Sequence, residues 1–160
     1  MSRFENDRYH YRETYFVMFR AEHRPTAEKV AKALAALDSH YVVSEVRADD
    51  EGRFEMLTLF SPEDNAAMDI AYLEGEDVLE HIAELERDFH ATALTAEEKA
   101  KLQRVSECTA RLDVFHFEEV MFGPDDEDEE MIDPGGLLTV LAELGRLCHG
   151  IALDQGGNVY

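Results

Sequence analysis

The chain has 160 residues, in which 36 Asp and Glu face 15 Lys and Arg to leave a formal net charge of −21. A surface this negative repels phosphate backbones and anionic headgroups, so neither nucleic acid nor membrane is expected as a partner. The 45% hydrophobic fraction, with nine Phe and six Tyr, separates the chain from disordered acidic tails and fits one α+β domain over residues 1–160.

No apolar run reaches the ~18 residues of a membrane-spanning helix. The start, Met1-Ser-Arg-Phe-Glu-Asn-Asp-Arg8, is too polar for a secretory signal. Cys108 and Cys148 stand apart in apolar helical patterns, so the expectation is a cytoplasmic protein with two reduced core thiols. Charge is unevenly spread. Residues 1–32 hold seven basic residues and five acids, leaving a net −23 on the other 128. Abundant acid with scarce lysine also suits a saline cytoplasm, where charge serves solvation rather than recognition.

Residues 1–12 read as an N-terminal arm. Tyr15-Phe-Val-Met-Phe19 has the length of a buried strand. Thr26 then caps a helix with Val30, Leu34 and Leu37 on one face. Tyr41–Val46 and Phe54–Phe60 form a hairpin across the turn Asp49-Asp50-Glu51-Gly52, and Met68–Leu73 reads as a further short strand, with an irregular connection as the alternative. Glu76–Phe89 is an amphipathic helix that turns Val78, Ile82, Leu85 and Phe89 inward. Thr95 and Glu98 form a capping box for a helix extending to about Ala110, followed by the strand Leu112–Glu118.

Residues 123–132 form an acidic loop containing Asp125, Asp126, Glu127, Asp128, Glu129 and Glu130. It lacks the EF-hand spacing of Gly and Glu. Asp133-Pro134 opens the last helix, rich in leucine, and Gly150 occupies the C′ glycine position after it. Ile151–Leu153 and Val159-Tyr160 flank a turn, as a terminal strand or a small hairpin closing a sheet would. This order predicts a ferredoxin-like split βαβ sheet with helices mainly on one face, extended by the C-terminal helix and strand.

Ile70-Ala-Tyr-Leu-Glu-Gly-Glu-Asp-Val78, Ala110–Glu118, Asp133-Pro-Gly-Gly-Leu-Leu138 and His149–Asp154 together resemble small bacterial α+β proteins of unknown function. The resemblance spans roughly residues 65–160 and carries no chemical motif, so it transfers no functional residue.

Two constellations bear on chemistry. His81, Glu84 and Asp88 share one side of a helix and present imidazole and carboxylates to a divalent ion; the competing reading is a polar stripe beside the apolar face. His116 and Glu118 alternate onto one face of a strand, as a general-base or metal-ligand pair would; a hydrogen-bonded core histidine is the commoner outcome. Neither Cys has basic surroundings, Ser39-His40 is a dyad only in sequence, and Gly135-Gly136 lacks the company of a nucleotide loop.

No cofactor is expected. The pattern points to a non-enzymatic acidic interaction or regulatory domain, with a basic protein or a second copy of the chain as partner and Asp125–Glu130 as the contact. The alternative is a metal-dependent or acid/base enzyme centred on His116 and Glu118. Purely structural or small-ligand roles leave no distinguishing mark.

Overall fold

The computed structural model describes residues 9–61, 66–90, 95–119 and 135–155. They form, in order, β1 (Tyr9–Phe19), α1 (Ala27–Leu37), β2 (Val42–Ala48), β3 (Phe54–Ser61), β4 (Ala66–Glu74), α2 (Glu76–His90), α3 (Ala96–Ser106), β5 (Ala110–Glu119), α4 (Gly135–Cys148) and β6 (Ile151–Asp154). The expected α+β class holds. The acidic loop and the Asp133-Pro134 helix start lie outside the described residues, and part of the expected N-terminal arm, from Tyr9 onward, is strand.

The ferredoxin-like layout does not hold. The six strands run β2-β3-β4-β5-β1-β6, and each neighbouring pair is antiparallel. The β1–α1–β2 crossover passes three strands to reach the far edge, where β2 meets β3 in the predicted hairpin. A split unit does occur elsewhere: β5 and β6 run the same way on either side of β1, joined through α4.

Helices cover both faces rather than one. Tyr15, Val17 and Phe19 point to the layer built by α1 and α4, where Val30, Leu34, Val140, Leu141 and Leu144 are buried. Phe16 and Met18 point the other way, to Val78, Ile82, Leu85 and Val105 of α2 and α3. The reason is in the second half of β1, Tyr15–Phe19, a continuous apolar run that has no polar face to leave in water. The two cysteines fall in these opposite clusters, Cys148 with α4 and Cys108 beyond α3, so the sheet separates them and both are free. Burial alone pushes the Cys148 thiol up to about 12.

Local chemistry follows the predicted signals closely. Thr26 accepts from the Lys29 N–H, and Thr95 and Glu98 complete their reciprocal box. In the β2–β3 turn the Asp49 carboxylate accepts from the Glu51 and Arg53 N–H groups, and Gly52 takes φ +82°. α3 ends at Ser106, four residues short of the expected Ala110, which is already the first residue of β5.

The end of α4 differs from expectation in one informative way. The left-handed C′ residue is His149, at φ +54°, and Gly150 follows it, donating its N–H to the Gly145 carbonyl at 2.8 Å. Gly150 is needed for another reason: a Cβ there would lie 2.5 Å from the Met18 carbonyl oxygen of β1. Left-handed backbone costs a residue with a Cβ about 1–2 kcal/mol, of which Gly loses part again through unfolded-state entropy. His149→Gly is therefore expected to stabilise the fold by about 0.5–1 kcal/mol, and Gly150→Ala to destabilise it by about 1–3 kcal/mol. Urea denaturation of the two variants checks the opposite signs.

Candidate functional site

Where β1 ends, Arg20 leaves the sheet and a short 3-10 turn, Ala21–His23, follows. The Thr109 N–H donates to the Phe19 carbonyl and the Ala21 N–H to the Thr109 hydroxyl, both at 2.9 Å, so this turn is tied to the segment between α3 and β5. The His149-Gly150 corner reaches the same corner of the molecule through its contact with β1. Three separate segments thus deliver Arg20, His23, Arg104 and His149 to one place.

These side chains, together with Glu107, Met18, Cys108 and Ile151, line a small recess of about 90 Å³. A second cleft, about 510 Å³, adjoins it and shares Arg104 and His149. Its further lining is mostly small and apolar: Leu141, Ala142, Gly145 and Ala152, with Arg146 at the side. The His23 and His149 rings meet edge to face with centroids 5.0 Å apart.

Some of this positive charge is already engaged. Arg20 donates to Glu107 at 2.9 Å and lies 3.6 Å from Glu22, and Arg146 pairs with Glu143 on its own helix. Among the described residues no carboxylate pairs with the Arg104 guanidinium, and neither imidazole of the His pair has a hydrogen-bond acceptor. The Cys108 thiol donates to the Arg104 carbonyl at 3.2 Å, and burial pushes its pKa up to about 11 despite the nearby arginines. A thiol held protonated is a poor nucleophile.

A different polar cluster sits under α2. The Arg111 guanidinium donates to both Asp113 oxygens, at 2.5 and 3.3 Å, and contacts His81 Nδ1 at 3.0 Å. It also lies 5.0 Å from the centre of the Phe16 ring, against which His81 packs at 4.6 Å. Burial raises the Asp113 pKa in spite of Arg111, and burial followed by the Arg111 charge lowers that of His81. The cluster joins α2 to the sheet.

The predicted His81, Glu84, Asp88 set is therefore split. Nδ1 of His81 is occupied by a cation, while Glu84 and Asp88 face solvent. Among the described residues no group of three or more His, Cys, Asp and Glu side chains converges as a metal site would require.

His116 lies on the α1/α4 face of β5, 6% exposed, between Glu13 of β1 and Met68 of β4. Glu13 Oε1 is 3.8 Å from its Nδ1, which has no hydrogen-bond partner among the described residues. Glu118 pairs instead with Arg12 at 3.4 Å. Burial lowers the His116 pKa, more than Glu13 raises it. The imidazole is held neutral in the core, away from the two clefts. The Ser39-His40 pair is a surface feature, with His40 Nδ1 3.1 Å from Asp38.

No family model matches this chain, and neither does any curated protein or solved structure. The site is read from its own chemistry. Residues of the cleft corner were missed by periodicity because they lie 129 positions apart at the extremes, from Arg20 to His149. One local signal was available: the Cys148-His149-Gly150 helix ending, in which a histidine precedes the glycine.

A histidine whose pKa is lowered by folding stabilises the native state above its unfolded pKa, about 6.5, and that stability is lost as pH falls below it. His116 is expected to contribute a loss approaching 1.4 kcal/mol per pH unit between 6.5 and its lowered folded value. Denaturation of wild type and His116→Gln across this range isolates the difference. Parallel pH profiles would contradict a neutral buried imidazole.

Proposed function

We propose that this protein is a non-enzymatic interaction domain that docks a basic protein surface through its acidic face. The observation carrying this reading is the outer row of α2. Glu76, Glu80, Glu84 and Asp88 follow one another at four-residue spacing, all exposed, so like charges stack along a single line. Three such contacts cost the helix roughly 1 kcal/mol in total. Glu76, Glu80 and Glu84 are not in ion pairs among the described residues, and the only Lys or Arg in the helix is Arg87. Repulsion among Glu76, Glu80 and Glu84 is relieved when a cationic surface covers them.

An apolar anchor lies in the same face. Leu79, next to Glu80 and one turn from Glu76, is 54% exposed, and a groove of about 440 Å³ follows along Glu80, Ala83, Glu84, Glu86 and Arg87. Exposed leucine rimmed by carboxylates matches a partner with one apolar knob among lysines and arginines. The six acids from Asp125 to Glu130 add to the net negative charge that accelerates encounter with a basic partner.

Affinity capture from source-cell lysate at low and high ionic strength, followed by binding measurements on the purified partner, tests this. We expect one stoichiometric basic partner that is lost as salt rises. Leu79→Ser with Glu80→Gln and Glu84→Gln should weaken it at least about tenfold, and neutralising Asp125–Glu130 should mainly slow association. Retention at high salt, or unchanged affinity in both variants, would overturn the reading, as would a second copy of the chain in the partner's place.

A further inference from the structure

We propose that the corner between the end of β1, the end of α3 and the α4–β6 turn binds a small phosphate monoester. Its phosphate lies in the recess of Arg20, His23, Arg104 and His149, and its organic part lies in the adjoining apolar cleft. None of the residues lining this site belongs to α2, so it stands or falls independently of docking on that helix.

Four observations converge. First, the recess gathers two guanidinium groups and two imidazoles, with one carboxylate, Glu107, which is paired to Arg20, in a chain whose net charge is −21; they are drawn from segments far apart in sequence. Random placement of scarce cations in such a chain favours pairing each with one of the abundant acids. Second, Arg104, His23 and His149 have no protein carboxylate or other acceptor among the described residues, so their N–H groups are free to serve a ligand. A guanidinium and imidazole N–H groups around one recess match the acceptor-only oxygens of a phosphate. Third, His149 occupies a left-handed helix-end position that glycine fills at lower cost, at φ +54°. A histidine at this position brings an imidazole to the recess that glycine would not supply.

The fourth observation is shape. The recess, about 90 Å³, suits a compact oxyanion and little more. The cleft continuing from it, about 510 Å³, lies within the size range of small-molecule sites and is walled by Leu141, Ala142, Gly145 and Ala152. Arg104 and His149 belong to both, which places the ester oxygen at their junction.

The acids at the site define its selectivity. Glu107 and Glu22 hold Arg20, and Glu143 holds Arg146. An incoming phosphate takes Arg20 from Glu107, in direct competition. The overall negative field acts over a Debye length and repels extended polyanions most strongly, whereas a single monoester meets the local donors at contact distance. The site therefore admits a small phosphate ester and continues to reject nucleic acid.

The test is a titration of the full chain with phenyl phosphate and, separately, inorganic phosphate at fixed ionic strength. It is followed through the imidazole Cε1–H resonances of His23 and His149, assigned with single His→Gln variants. Saturable shifts confined to these two rings are expected, with phenyl phosphate binding about tenfold more tightly than inorganic phosphate because the apolar cleft takes its ring. Arg104→Gln and His149→Gly should each weaken binding about tenfold or more. Glu107→Gln should strengthen it several-fold by freeing Arg20. Equal affinity for the two probes would identify free phosphate as the ligand and overturn the monoester assignment. Absence of saturable shifts, or shifts unchanged in both Arg104→Gln and His149→Gly, would overturn the site itself.

Discussion

β1 has apolar side chains on both of its faces, and that constraint organises the molecule. Tyr15, Val17 and Phe19 face one layer while Phe16 and Met18 face the other, with Val17, Met18 and Phe19 fully buried. A strand of this kind cannot lie at a solvated sheet face, so it requires cover above and below, and a neighbour on each side for its backbone. β5 and β6 supply the neighbours; α1 with α4 and α2 with α3 supply the cover. Connecting β5 to β6 across β1 demands the α4 crossover, and the tight return after α4 demands glycine at position 150 against the Met18 carbonyl. His149 is carried to its corner by that return.

The same constraint distributes charge. With the apolar residues of α2 committed to the sheet through Val78, Ile82 and Leu85, its acids are left on the outside, where they stand in a repelling row. Two of the polar sites in the core are handled differently. Arg111, Asp113 and His81 satisfy one another beneath α2, whereas His116 is buried with a nitrogen that has no hydrogen-bond partner among the described residues. A mutually satisfied cluster can fix one packing arrangement; a buried imidazole whose pKa is lowered is expected to make the fold acid-sensitive instead.

Individual elements were legible in the sequence because their signals are local. Thr26, the Thr95–Glu98 box and the Asp49–Gly52 turn each specify geometry within a few residues, and each recurs in the fold. Strand order was not legible. The hairpin and capping signals are the same whether β1 lies beside β5 and β6 or in a ferredoxin-like position, and the choice rests on long-range packing. The two-sided apolar character of residues 15–19 was the one available hint that helices cover both faces. The recess fared likewise: Arg20 and Arg104 look like ordinary surface arginines until β1 and α3 end at the same corner, and Glu118 looked like the partner of His116 until Arg12 and Glu13 took up their places.

Amide hydrogen exchange on the intact protein tests the central role of β1 most directly. If a doubly covered β1 anchors the fold, the amides of Val17 and Met18 exchange only through global unfolding, tracking its free energy across denaturant, while those of the edge strand β2 exchange through cheaper local opening. Exchange of Val17 and Met18 as fast as β2, independent of global stability, would contradict the account and remove the basis on which the corner is held together.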